Sequence, residues 1–427
     1  KDPSELYLQV GDEFKRAIEE LLAAARPVKD IQIDAFNEEA RESLAAAQDL
    51  LENPELITKL SNVITMSGYA GDTRPALMAY VGLTSRMLDA PLKLGYISPS
   101  AAGKNASCDA ALPFVPDEAY YMVRASSPRA LIYNDEVFTH RVVIFTEADS
   151  LPEDGPAASA MRSLMSDGEM SYEVTEKGED GQHHARKIVK KGPTGLITTS
   201  TKPLGDQANT RTLTVTISDS EEQTRAVMHA HAKRANGDLP DIDYSPWHAV
   251  QRWLEIAGER LVVVPYAYSL ADKVTAKSVR MRRDYDQLLI VIKTLAMLHQ
   301  RLRERDSRER IIATIGDYRL ASWLLEEVFA TIVSEGVTPA IRETVESVCR
   351  LLSKHDTVTQ SQLVADLNLA KSTIDYRVKR ALKGGWLLNQ TTTKNAPARL
   401  VLGDSLPDNN ALPDPEELVC VENPETH

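Results

Sequence analysis

Eight residues, Ser98-Pro99-Ser100-Ala101-Ala102-Gly103-Lys104-Asn105, lie between Leu94-Gly95-Tyr96-Ile97 and the helix-like run Ala106 to Leu112. The pattern Gly-x-x-x-x-Gly-Lys-Ser/Thr, after a buried strand and before a helix, forms a phosphate-binding loop. Here Ser98 takes the place of the first glycine and Asn105 that of the hydroxyl residue, while the pair Gly103-Lys104 is intact. A glycine lets the backbone approach a phosphate, a lysine supplies positive charge, and the helix N-terminus adds N–H donors. Such a loop constrains the fold to strand, loop and helix in that order. A second reading stays open for the loop alone: a small-residue turn capping a helix, with Lys104 a solvated surface charge.

The neighbourhood favours the first reading. Arg141-Val142-Val143-Ile144-Phe145-Thr146-Glu147-Ala148-Asp149 is a continuous apolar run ending in acid. A run of this kind suits a strand buried on both faces of a parallel sheet. Its C-terminal end is where open α/β sheets bind ligands. In ATPases an Asp for Mg²⁺ and then a Glu that orients water stand there. This chain has Thr146 in the penultimate place and keeps Glu147.

The chain of 427 residues is long enough for two or three domains with their own cores. With 43% hydrophobic and 26% charged residues, its composition is that of a soluble globular protein. No apolar run reaches membrane-spanning length and no signal-peptide pattern opens the sequence, so a cytoplasmic location without membrane partners is expected. The first residue is Lys1, as in a piece of a longer protein. Cys108, Cys349 and Cys420 are far apart and have no metal-ligand spacing, which fits a reducing compartment.

A net charge of −13 argues against wholesale nucleic-acid binding, but the charge is uneven. Lys273 to Arg310 holds eleven Lys/Arg against five Asp/Glu, and Lys354 to Gly403 holds eight against three. Asp404 to His427 has seven acids and no Lys/Arg, and with its prolines reads as a disordered acidic tail.

The periodicity divides the chain. Residues 1–66 read as a helical N-terminal segment, with Pro27 separating its first two helices. Residues 67–220 alternate strands and helices, as an α/β core with a largely parallel sheet does. Within it, Ala157 to Ser166 reads as a helix. Met170 to Thr175 and Ala185 to Lys191, around a turn at Gly178-Glu179-Asp180-Gly181, read as a hairpin over about 170–191. Strands are expected at Gly195 to Thr201 and Thr212 to Ile217. Residues 221–335 read as helical, with Arg283 to Leu302 the best amphipathic stretch. Residues 341–403 look like a winged helix: a helix at Thr359 to Ala365, a turn at Asn368-Leu369, a second helix from Lys371 to Leu382, and a wing opening at Gly384-Gly385-Trp386. His299 and Cys108 read as packed residues and not as ligands. No Ser-His-Asp or paired-carboxylate constellation is legible.

Phosphate loop, acid-ended strand, hairpin, polar-ended strand, Arg, helical lid and winged helix, in this order, resemble the MCM-like AAA+ helicases of bacteria, phages and mobile elements. The resemblance covers roughly residues 50 to 403. It implies an AAA+ P-loop NTPase core with ATP and Mg²⁺ as ligands, acting as an ATP-dependent DNA translocase or helicase in replication. Ser98 to Asn105 would hold the phosphates, with Lys104 on the β- and γ-phosphates. Glu147 would position water, Thr201 falls at sensor 1, Arg211 at the arginine finger reaching a neighbouring subunit, and Arg283 at sensor 2, with Arg280 and Arg282 as rivals. Asn105 and Thr146 each offer a neutral oxygen to the metal or its waters. The resemblance also implies a homo-oligomer, a hexameric ring on single-stranded or forked DNA, with primase or other replication proteins as partners.

Arg186, Lys187, Lys190 and Lys191 on the second hairpin arm would grip the DNA backbone without reading sequence. The other reading is an exposed hairpin with solvated charges. Lys371, Arg377, Lys379 and Arg380 make a plausible recognition face, with Ser372, Thr373 and Tyr376 beside them. A protein-docking or regulatory role is as open for a winged helix. An alternative for the whole chain is a nucleotide-binding DNA adaptor or regulator with weak or no hydrolysis.

Overall fold

The computed structural model describes residues 3–24, 28–98, 103–123, 130–146, 159, 163, 169–177, 183–201, 212–217, 221–274, 281–333, 339–391, 398–406 and 412–420. The N-terminal segment is helical: α1 (Pro3–Val10), α2 (Phe14–Ala24), α3 (Val28–Leu51) and α4 (Leu56–Met66). Ala47, Leu50 and Leu51 on α3 and Leu56, Ile57, Leu60 and Ile64 on α4 are buried. Their three- and four-residue spacing puts them on one face of each helix. α5 (Arg74–Thr84) carries Pro75 in its first turn and is buried from Pro75 to Thr84. Pro is tolerated there because the first N–H groups have no intrahelical partner. An all-round apolar helix of this kind must lie inside the protein.

The strands and helices that follow are β1 (Lys93–Ile97), α6 (Lys104–Asp109), β2 (Tyr120–Val123), α7 (Ala130–Tyr133), β3 (Arg141–Phe145), β4 (Glu169–Lys177), β5 (His183–Lys191), β6 (Thr194–Ser200) and β7 (Leu213–Thr216). Five of these strands make a parallel sheet in the order β2-β3-β6-β1-β7. Every residue of β6 is buried, and so are the middles of β1 and β3, as expected of strands covered on both faces. β7 alone lies on the far side of β1, so the direction of winding reverses there. Open sheets bind ligands at that switch point, outside the C-terminal strand ends. The loop beginning at Ser98 leaves β1 there.

β4 and β5 pair antiparallel from Glu169 opposite Lys191 to Lys177 opposite His183. The expected turn at Gly178 to Gly181 lies outside the described residues, as does nearly all of the expected helix from Ala157 to Ser166.

The next section contains α8 (Glu221–Asn236), α9 (Ser245–Ile256), α10 (Ala267–Lys273), α11 (Met281–Leu298) and α12 (Ile315–Val333). It is not purely helical: β8 (Val262–Val263) pairs parallel with β9 (Ile311–Ile312). Two-residue strands carry too little pattern for sequence periodicity to register. α11 is less amphipathic than expected, since Leu288, Ile290 to Ile292 and Thr294 to Leu298 are all buried. The main core joins the N-terminal helices, the sheet and this section, for example through Leu60, Tyr96, Leu254, Leu295 and Phe329. His299 is buried as expected, its Nδ1 at 2.8 Å from the Leu295 carbonyl, and burial lowers its pKa.

A buried polar cluster docks α9 on α5. The Arg86 side chain, 2% exposed, donates from Nη1 to Gln251 Oε1 at 2.8 Å and lies 3.8 Å from the Glu255 carboxylate. Gln251 Nε2 donates onward to Tyr80 Oη at 3.1 Å and Thr84 Oγ1 at 2.8 Å. Burial pushes the Arg86 pKa down to about 10, opposed by Glu255.

Residues 339–391 and 398–406 form a unit with its own core: α13 (Pro339–Leu352), α14 (Gln360–Leu367), α15 (Lys371–Lys383) and the antiparallel pair β10 (Leu387–Asn389) and β11 (Leu400–Leu402). Thr359 opens α14 with a capping box to Gln362, and Asn368 closes it at φ +51°, a left-handed conformation that Asn tolerates.

Within the acidic tail, residues 412–420 depart from the expected disorder. Leu412 and Leu418 are buried in the main core. Pro413 O accepts from Tyr318 Oη at 2.7 Å, Glu416 pairs with Arg319 at 2.7 Å, and Glu417 with Lys273 at 3.3 Å. Average composition concealed two apolar anchors and the cations waiting for the acids. The described part of the tail, residues 412–420, is therefore a strap over α10 and α12. Among the described residues no helix is long and apolar enough to cross a membrane.

Candidate functional site

Ser98 ends the strand side of the loop. Its N–H donates to Ser200 O at 3.3 Å, and its buried hydroxyl has no hydrogen-bond partner among the described residues. Pro99, Ser100, Ala101 and Ala102 lie outside the described residues. Gly103 follows at φ +92°, and among the described residues no atom beyond its chain neighbours lies within 4 Å of the place a Cβ would occupy. Glycine adopts this conformation without strain and leaves the backbone open to an incoming group. Lys104 begins α6 and folds back, donating from Nζ to Ser98 O at 2.6 Å. The two ends of the loop are thus tied by its own lysine. Asn105 is exposed.

A hydroxyl chain supports the loop from below. Tyr69 Oη lies 2.8 Å from Ser107 Oγ, which donates to Gly103 O at 3.2 Å. Burial raises the Tyr69 pKa, so the phenol keeps its proton. Cys108 is buried as expected, and burial pushes its pKa up to about 12.

The strand ends converge beside this loop. β6 pairs with both β1 and β3, which sets Ser200 level with Ile97 and Thr198 level with Phe145. Thr201, exposed, follows β6 next to Ser98. Thr146 follows β3, and its N–H donates to Val123 O at 3.2 Å while its hydroxyl is 3.5 Å from the same carbonyl. Glu147, Arg211 and Arg280 lie outside the described residues. Arg282 and Arg283 are exposed on the first turn of α11. One turn on from Arg283, Gln287 accepts from Lys93 N at 3.0 Å, so that helix is anchored at the strand end opposite the loop. Among the described residues no three His, Cys, Asp or Glu side chains converge as metal ligands.

A small cavity, with room for about one water, lies between the start of α5, β7 and α12. Pro75, Met78, Val215, Leu324 and Val328 give it apolar walls. At its edge Pro75 O accepts from Tyr96 Oη at 2.7 Å. Arg74 closes its rim. The guanidinium Nε donates to both Asp72 oxygens, at 3.1 and 2.8 Å, and Nη2 pairs with Glu327 at 2.5 Å. These bonds, with Asp72 first, raise the Arg74 pKa above its ordinary value. Sequence reading missed this rim, since Arg74 and Glu327 are 253 positions apart; the glycines of the preceding Gly68 to Asp72 segment were the available signal.

The four hairpin cations separate by face. Side chains alternate along a strand. Lys187 and Lys191 are exposed and stand opposite Glu173 and Glu169. Arg186 is exposed on the other face. Lys190 turns toward the core, opposite the buried Met170. On α15, Lys371, Lys379 and Arg380 are exposed, and Lys379 pairs with Asp375 at 2.7 Å. Arg377 is only 16% exposed and is held by Glu343 at 2.8 Å. Tyr376 is open to solvent.

Residues 40–250 match the family model described as the MTBMA_p00010 P-loop domain. That range takes in the end of α3, the whole parallel sheet and the hairpin. The match and the parallel sheet with its loop at the switch point support a P-loop NTPase core, and with it nucleotide binding. No curated protein matches the sequence.

Proposed function

We propose that this chain is an ATP-dependent DNA translocase or helicase of the MCM-like AAA+ type, working as a homo-oligomeric ring in replication of a mobile element. The observation that carries the reading is the Gly103-Lys104 loop at the switch point of a parallel sheet. The unpartnered Ser98 hydroxyl and the open Gly103 backbone fit a bound phosphate. Lys104 would release Ser98 O and meet the β- and γ-phosphates. Mg²⁺, when bound, would neutralise phosphate charge; Asn105 and Thr146 would hold it or its waters. Glu147 would orient water in cis, Thr201 would sense the phosphate end, and Arg211 would act on the neighbouring subunit's nucleotide. Arg186, Lys187 and Lys191 would hold DNA phosphates.

A second reading, a DNA-binding adaptor with weak hydrolysis, is favoured by the Thr146 hydroxyl facing a backbone carbonyl and by α11 being anchored away from the loop. In that reading a winged helix at 341–403 supplies the DNA affinity through Lys371, Lys379 and Arg380.

Hydrolysis measured with and without single-stranded DNA separates the two. For a motor, the double variant Arg186→Gln/Lys187→Gln loses DNA stimulation. For an adaptor that variant changes nothing, and Lys371→Gln/Arg380→Gln abolishes DNA binding. Absence of hydrolysis above a Lys104→Ala control under every condition refutes the motor. Negative-stain imaging with nucleotide tests the ring, and only monomers would contradict it.

A further inference from the structure

Lys190 is an anomaly in its strand. The hairpin face it occupies is otherwise apolar near the base: Met170, Tyr172 and Ile188 pack on Ile132, Phe138, Val143, Phe145 and Leu196. A lysine on such a face is costly unless its charge is satisfied. Here it is. The ammonium donates to Asn134 O, to Asn134 Oδ1 at 3.0 Å and to Glu136 O at 2.9 Å, which uses its three donors. It also lies 5.5 Å from the Phe138 ring centroid, a favourable cation–π distance.

The acceptors are themselves held. Asn134 Nδ2 reaches Tyr121 Oη at 3.4 Å, and the Tyr121 ring packs edge-on against Phe138. The Glu136 carboxylate pairs with Arg141 at 2.6 Å, and Arg141 Nη2 donates to Tyr120 O at 2.7 Å. Arg141 is the first residue of β3, whose last residue precedes Thr146. The ammonium thus adds a polar link from the hairpin base to the segment 134–138, which Glu136 ties to the start of the acid-ended strand, beside the apolar packing and the Thr139 Oγ1 bond to Lys191 O.

We infer that Lys190 is a positioning residue that pins the hairpin to the sheet, and that it does not contact nucleic acid. This deepens the DNA-binding reading above and rests on it for the binding test only. Its neighbours Lys187 and Lys191 face outward and remain the phosphate contacts. Swinging Lys190 onto a phosphate would break three hydrogen bonds and leave the Asn134 and Glu136 acceptors without their donor.

The test compares full-length Lys190→Met, Asn134→Ala and Lys187→Gln by amide hydrogen exchange and by single-stranded DNA affinity across salt concentrations. Lys190→Met keeps the aliphatic stem and removes the charge; Asn134→Ala removes an acceptor and leaves the lysine. Both should speed exchange across residues 169–177 and 183–191, roughly tenfold for Lys190→Met, with Lys187→Gln unchanged. Removing one lysine–phosphate pairing flattens the plot of log K against log salt by about 0.7 on single strands. Lys187→Gln should flatten it so. Lys190→Met should weaken binding with the slope intact. Flattening by Lys190→Met, or unchanged hairpin exchange in both Lys190→Met and Asn134→Ala, would overturn the inference. If the unaltered chain binds no DNA, the DNA reading fails by itself and exchange alone decides the pin.

Discussion

Lys104 and Cys108 sit four residues apart on one short helix, and the surroundings give them opposite chemistry. Lys104 is partly open and ties the loop through Ser98 O. Cys108 is sealed under it, its pKa raised to about 12 by burial. A raised thiol pKa means that the protonated, unreactive form persists through ordinary pH. Cys349 and Cys420 are exposed. At pH 8 a thiol reagent should therefore label those two in the native protein and reach Cys108 only after denaturation. Rapid native labelling of Cys108, mapped by peptide mass, would show that α6 is not packed as described. Tyr69 acts on the same helix through Ser107. Tyr69→Phe removes the hydroxyl that holds Ser107 under Gly103, and a threefold to tenfold loss of nucleotide affinity is expected in a binding titration.

At the scale of elements, strands and helices with strong periods were legible from residues alone. The buried runs at Leu94 and Val142, the hairpin arms and the two helices after Thr359 all carry their pattern in a few adjacent residues. What escaped was set by partners distant in sequence. The Arg86–Gln251 pair links residues 165 positions apart, and nothing near either predicts it. The inward turn of Lys190 was equally invisible, because a basic arm reads the same whichever face its lysines take. Residues 412–420 of the tail escaped for a related reason: two leucines anchor them, and composition averages those away. The buried cluster gives a direct prediction. Gln251→Ala strips Arg86 of its hydrogen-bonded partner inside the protein, at a cost of roughly 3 kcal/mol. Chemical denaturation should show that loss, and a change below about 1 kcal/mol would mean that water or Glu255 replaces the amide.

At the scale of the molecule, α12 is held at both ends by different parts of the chain. Near its start, Tyr318 and Arg319 hold the strap of residues 412–420. Near its end, Glu326 and Glu327 meet Arg74 on the rim of the cavity. Leu418→Asp places a charge in the main core and should release the strap, exposing residues 412–420 to limited proteolysis while the unit 339–406, which has its own core, stays protected. Glu416→Lys alone breaks one exposed ion pair, worth less than about 1 kcal/mol, and should leave the strap in place. Equal protease resistance of the Leu418→Asp chain would show that Leu418 is not an anchor.

If Gly103-Lys104 is a working phosphate loop, Lys104 meets the phosphates of a nucleotide. Titration of MgATP into the full chain and into Lys104→Ala, followed by calorimetry, tests this most directly. Saturable binding is expected for the unaltered chain, with at least a tenfold loss, about 1.4 kcal/mol, in the variant. No saturable binding, or equal affinity in the two, would contradict it.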